Sequence, residues 1–237
     1  ERVREINPRL IMGSITGFGQ SGPYAHRAAF DTIAQAMAGM MSITGYPDRE
    51  PVRAGGLTAD MTGGLVATVG ALTALYYQKA TGKGQHVDAS LFDAVLIIVA
   101  ARIVQHARGL PTIRGESPGI APYGTSLTRD EKYVHIMAHD DNHWPHMARL
   151  MGRADLAEHP GYKTRAARSK RAEELNAMLR AWVSPKTAAE AGADLDRQGI
   201  PYGPVQTIED LLHDAHARET SSIVEVDHYG ERLPLVG

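Results

Sequence analysis

The sequence contains no cysteine, which excludes disulfides, thiolate zinc sites and cysteine nucleophiles and makes the cytoplasm the natural setting. Aromatic residues are scarce, 6% of 237, and no apolar run approaches the ~20 residues that a membrane span requires. No basic stretch followed by an apolar core marks a secretory signal at the start. Charge of neither sign dominates: 25 Lys and Arg against 27 Asp and Glu leave a formal net charge of −2. Basic residues are interleaved with acids and form no stripe, so nucleic acid has no footprint. Internal repeats and low-complexity segments are also lacking. What is there, 43% hydrophobic and 22% charged residues, is enough to bury the core of one large or two modest domains.

The most informative residue is Asp60. It lies in an uncharged, glycine-rich stretch, Ala54-Gly55-Gly56-Leu57-Thr58-Ala59-Asp60-Met61-Thr62-Gly63-Gly64-Leu65, ahead of a helix pattern carried by Met61, Leu65, Val66, Val69, Leu72 and Leu75. One reading is an ordinary N-cap, accepting a backbone N–H at the positive end of the helix dipole and worth about 1 kcal/mol. The other is a carboxylate placed to attack an electrophile. The flanking glycines favour the second, because they remove side chains and let a ligand or another backbone approach closely.

The pattern of elements reads as α/β with two lobes. Strand 10–16, helix 30–42, helix 61–79, strand 85–90 and helix 91–108 alternate through residues 1–110, the signature of a mostly parallel sheet with helices on its faces and part of a doubly wound domain. Residues 111–124, rich in glycine and proline, read as a linker. A small α/β domain over 125–206 follows, with a strand at Tyr133–Met137, a helix after Asn142, and a helix carrying Ala172, Leu175, Met178, Leu179 and Trp182 on one face. A third helix near 187–198 is expected to open at Ser184-Pro185 and end at Gly199. Residues 207–237 begin with a capping box, Thr207-Ile208-Glu209-Asp210, opening a helix over 208–218 before a strand at 223–226. Glu1–Ile6 reads as the tail of a helix whose start is missing, and the chain as a fragment.

Several motifs carry less than they promise. Gly17-Phe18-Gly19-Gln20-Ser21-Gly22 fits G-x-G-x-x-G after a strand, yet Pro23 and Tyr24 follow instead of a helix, and no acid stands about 20 residues on to hold a ribose hydroxyl. A tight loop is the better reading. His139, His143 and His146 beside Asp140 and Asp141 look like metal ligands, but His139 precedes the helix opened by Asn142 and Pro145, so no metal is assigned. A polar helix start is read there, with Trp144 as a packing anchor. Lys163, Arg165, Arg168, Lys170 and Arg171 read as an ordinary solvated charged face.

Taken in order, Asn7-Pro8-Arg9-Leu10-Ile11, Gly17-Phe18-Gly19-Gln20-Ser21-Gly22-Pro23-Tyr24, Phe30-Asp31-Thr32-Ile33-Ala34-Gln35-Ala36, Thr58-Ala59-Asp60, Thr81-Gly82-Lys83-Gly84-Gln85-His86-Val87-Asp88-Ala89-Ser90-Leu91, Asp141-Asn142-His143-Trp144, Gly152-Arg153-Ala154-Asp155-Leu156 and Gly199-Ile200-Pro201-Tyr202-Gly203-Pro204-Val205 closely resemble the family III CoA-transferases of the CaiB/BaiF type. The resemblance covers nearly the whole chain. It implies a Rossmann-like large domain with a smaller α/β domain, residues 207–237 returning to the large one, and two subunits threaded through each other as an interlocked homodimer. It also implies an enzyme of the EC 2.8.3 type that moves CoA between an acyl-CoA and a carboxylic acid, with no permanently bound cofactor. Asp60 would be the covalent nucleophile, and Arg27, Phe30, Gly17 and Gly19 would contact CoA, the glycine loop through its bare backbone N–H groups. Members of the family are longer at both ends.

Two alternatives stand beside this. The racemases of the same superfamily exchange an α-proton with a His and an Asp, but the aromatic position preceding Asp31 that holds their His is Phe30 here, and an arene cannot accept a proton. A non-catalytic CoA-binding fragment is the other.

Overall fold

The structure, a computed structural model, describes residues 2–115 and 120–237. The readings placed on Glu1 and on residues 116–119 lie outside the described residues. The chain divides into two compact units, Glu1–Ser117 and Pro118–Gly237.

The first unit contains α1 (Arg2–Ile6), β1 (Met12–Thr16), α2 (Asp31–Met37), α3 (Met40–Ile43), α4 (Thr58–Thr81), β2 (His86–Ser90) and α5 (Leu91–Ala107). β1 and β2 pair in parallel with Met12 opposite His86 and Thr16 opposite Ser90, and α2 to α4 form the crossover that parallel neighbours require. The helix expected over 30–42 is broken in two. Gly39 at φ +86° takes the left-handed conformation that ends α2, and it serves as N-cap of α3.

α4 is longer at both ends than its apolar pattern predicts, and it is turned the other way round. Its buried residues are small, Ala59, Gly63 and Ala74. A Cβ on Gly63 would lie 2.7 Å from Leu91 Cδ2, and one on Gly70 2.5 Å from Val87 Cγ1, so the helix lies directly on β2 and the start of α5. The large apolar residues that revealed the helix, Met61, Leu65, Val69 and Leu72 among them, are exposed in this unit. Ala34, Ala38, Met40, Ala59, Leu91, Val95 and Val99 form its core.

The second unit holds β3 (Tyr123–Leu127), β4 (Tyr133–Met137), α6 (Trp144–Leu150), α7 (Arg165–Ser169), α8 (Ala172–Val183), α9 (Ala188–Arg197), β5 (Tyr202–Pro204), α10 (Ile208–Leu212), α11 (Ala215–Glu219), β6 (Ile223–His228) and β7 (Glu231–Val236). β3, β4 and β5 form an antiparallel sheet in that order. Val134, Ile136, Met147, Leu179, Val183 and Leu195 pack its core.

Three expectations are corrected here. α9 is opened by Thr187, whose hydroxyl accepts from the Glu190 amide in a full capping box, while Ser184 ends α8. The Thr207–Asp210 capping box is present, but the helix it opens stops at Leu212; Asp214 then caps the separate α11. Arg168 is no solvated charge: it is 0% exposed.

Candidate functional site

Asp60 lies in the first turn of α4, three residues beyond the N-cap Leu57, and is exposed. It therefore does not cap its own helix, which corrects the capping alternative. Leu57 has no side chain able to do so. The acceptor comes from a different helix: Asp31 Oδ1 takes the backbone N–H of Ala59 at 2.7 Å and of Asp60 at 3.3 Å. Asp31 is 3% exposed and sits at the first position of α2, so two helix N-termini meet at its carboxylate. Its other oxygen accepts from Gln35 Nε2 at 2.6 Å, and Gln35 Oε1, 0% exposed, accepts from the Ala54 amide at 2.9 Å. Asp31 and Gln35 have no role assigned from the sequence. The available signal was two polar residues one helical turn apart on a face otherwise made of Ala34 and Ala38, where an unpartnered polar group would be costly.

Among the described residues no donor contacts the Asp60 carboxylate. Its backbone is fixed and its side chain is open to whatever approaches.

The glycine loop reaches the same region by contact. A Cβ on Gly17 would lie 2.4 Å from Ala29 Cβ, two residues before Asp31, and the Gly17 carbonyl accepts from the Phe92 amide at 3.0 Å as α5 begins. Gly19, at φ +83°, donates to Thr16 Oγ1 at 3.0 Å, and the Gln20 amide donates to Asp88 Oδ2 at 2.8 Å. These two N–H groups are engaged by Thr16 and by Asp88 of β2, so the loop presents fewer bare donors than expected. Phe18 packs against Tyr24 at 5.6 Å and Phe92 at 6.1 Å between ring centroids. The Arg27 guanidinium stands 5.0 Å from the centre of Tyr24 and 5.9 Å from that of Phe18, an exposed cation resting on aromatic faces. Phe30 is 80% exposed. His86 is bonded to Ser14 Oγ at 2.8 Å.

In the second unit the three histidines do not converge. His146 Nδ1 pairs with Gln198 Oε1 at 2.8 Å, whereas the buried Nδ1 atoms of His139 and His143 have no partner. Desolvation, reinforced by Arg165, holds the His139 pKa below its ordinary value and favours the neutral ring. No group of three or more metal-capable side chains occurs among the described residues. Trp144 is fully buried and stacks on Tyr162 at 6.3 Å.

A parallel strand pair with its crossover helices, and a second unit of helices on an antiparallel sheet, define an α/β protein. A family model described as CoA-transferase family III matches residues 1–237. The chain belongs to that family. It is 34% identical over 230 residues to the succinyl-CoA–D-citramalate CoA-transferase of Chloroflexus aurantiacus, covering 95% of this chain and 57% of that protein. It is 35% identical over 222 residues to the acetyl-CoA:oxalate CoA-transferase of Acetobacter aceti, covering 90% and 56%. The crystal structure of a CAIB/BAIF family protein from Brucella suis superposes with a TM-score of 0.79 at 35% identity, over 99% of this chain and 61% of that one. The chain thus spans less than two thirds of the length of these relatives.

Proposed function

We propose that the protein is a CoA-transferase that carries CoA from an acyl-CoA thioester to a carboxylic acid through covalent intermediates on Asp60. The observation that carries this reading is the state of Asp60: exposed, at the N-terminal turn of α4, fixed through its backbone, and with its carboxylate contacted by no donor among the described residues. The family and the activities named for its relatives supply the substrate class.

The chemistry follows from what thioester exchange demands. Direct attack of one weakly nucleophilic acid on a thioester is slow, and a covalent enzyme carboxyl divides the barrier. An Asp60 oxygen attacks the donor thioester carbonyl, the C–S bond breaks, and CoA thiolate leaves a mixed anhydride. The thiolate then attacks the aspartyl carbonyl and the donor acid departs as carboxylate, leaving an aspartyl-CoA thioester. The acceptor carboxylate attacks that thioester, and the released thiolate takes the acceptor's acyl carbonyl from the second anhydride, regenerating Asp60. Each attack develops an oxyanion that backbone N–H groups can stabilise. Arg27 on its aromatic support, with Phe30, Gly17 and Gly19, forms the CoA-contacting set of this proposal. An arene at position 30 favours acyl exchange over proton exchange.

Asp60→Ala is expected to abolish CoA exchange while changing stability by no more than about 0.5 kcal/mol, because the side chain caps nothing. Succinyl-CoA followed by hydroxylamine should leave a hydroxamate on Asp60, read by peptide mass spectrometry. Retained exchange in the variant would refute the assignment.

The same reading makes the protein a cytoplasmic, interlocked homodimer with no permanently bound cofactor. Its domain scheme is 1–110 and 207–237 in the large domain, 125–206 in the small one and 111–124 between them.

A further inference from the structure

A helix without a capping side chain leaves the amides of its first turn without acceptors. In α4 the N-cap is Leu57, which cannot accept, and the acceptor comes from outside the helix. Asp31 supplies the acceptor for the Ala59 and Asp60 amides from α2, and Gln35 holds Asp31 from the other side while gripping the Ala54 amide at the start of the loop leading to Asp60. All four contacts are made by two side chains that are 3% and 0% exposed, so water does not compete for them.

We propose that Asp31, aimed by Gln35, is a positioning residue for the transfer: it takes across the chain the two amides that the apolar N-cap Leu57 cannot serve, and so keeps the backbone of Asp60 at one fixed point. The inference rests on Asp60 being the nucleophile. No atom of Asp31 is transferred or titrated in it; the residue acts through the amide of Asp60 alone.

The test uses the protein expressed from its complete reading frame, with succinyl-CoA as the acyl donor. Single-turnover acylation of Asp60, quenched into hydroxylamine and read by mass spectrometry, is followed against succinyl-CoA concentration alongside the melting temperature. Asp31→Ala should lower the limiting acylation rate by about tenfold or more, with the half-saturating concentration moving by less than about threefold. Asp31→Asn, whose side-chain carbonyl still accepts from both amides while its NH2 faces the Gln35 Nε2 donor, should lose no more rate than Gln35→Leu and clearly less than Asp31→Ala. Asp31→Ala combined with Leu57→Ser puts a local cap on α4 and should recover the melting temperature without the rate.

A rate in Asp31→Ala within about twofold of the parent, or a rate restored together with melting temperature in the double variant, overturns the proposal. Gln35→Leu keeps the fold question separate. It leaves α4 its acceptor but removes the strut, and it should slow acylation by about threefold or more; an unchanged rate overturns the proposal even where Asp31→Ala does not fold. Asp60→Ala distinguishes the two levels. Acylation that persists there sinks the nucleophile and this inference together, whereas a silent Asp60→Ala beside a normal Asp31→Ala sinks the inference alone.

Discussion

Arg168 illustrates how much one side chain of this protein is asked to hold. Its guanidinium donates to the carbonyls of Ala121, Tyr162, Lys163 and His139 and to Asp141 Oδ1, at 2.6–3.3 Å, and lies 5.3 Å from the centre of the Trp144 ring. The planar fork is what allows five acceptors to be met at once, and lysine has no equivalent. Arg168→Ala should therefore destabilise the second unit by about 3–5 kcal/mol, read as a lowered urea midpoint, and Arg168→Lys should recover little of it. The loss comes from the carbonyls left without donors, since Asp141 is itself more than half exposed and can be rehydrated. An arginine in a cluster with lysines reads as surface from sequence, because composition says nothing about which member turns inward. The same holds for Asp31. Its partners are two amides 28 and 29 residues away, and no local spacing announces a cap from that distance.

At the scale of elements, legibility followed periodicity and failed where a single residue interrupts it. β1, β2 and α5 emerge within a residue or two of the expected bounds, and α8 buries Leu175 and Leu179 as its pattern requires. The helix over 30–42 failed at Gly39, whose apolar neighbours continue the pattern through the break. β3 was hidden because Tyr123-Gly-Thr-Ser-Leu127 is mostly polar and follows a proline- and glycine-rich run. The β6–β7 hairpin was read only as far as its first strand. Its turn, Tyr229 at φ +53° and Gly230 at φ +86°, has the two positive angles of a type I′ turn, but the first of them falls on a residue that gives no signal for it. In α4 the helix was legible and its orientation was not, since the large residues define the pattern while glycines make the contact. This yields a paired prediction. Gly64, with nothing within 4 Å of an added Cβ, should gain about 0.5–1 kcal/mol as alanine, whereas Gly70→Ala should lose about 1–3 kcal/mol against the stiff Val87 side chain. Denaturant titration of the two variants checks the sign of each.

For the molecule as a whole, the class was read from alternating elements, but the family rested on the order of many short segments, none decisive alone. The physics explains why. Two paired strands do not specify a doubly wound sheet, and the apolar face of α4 made by Met61, Leu65, Val69, Leu72 and Tyr76 is exposed among the described residues. Such a face on a stable protein is covered by something. The homodimer proposed above predicts that the product of the complete reading frame sediments at twice the subunit mass at micromolar concentration; a monomer there would overturn it. The cap supplied by Asp31 bears on any attempt to reuse this chemistry. Grafting residues 57–81 onto another scaffold would carry the proposed nucleophile without the anchor that holds its backbone, and on the proposal made above a working transplant has to bring the distant aspartate along.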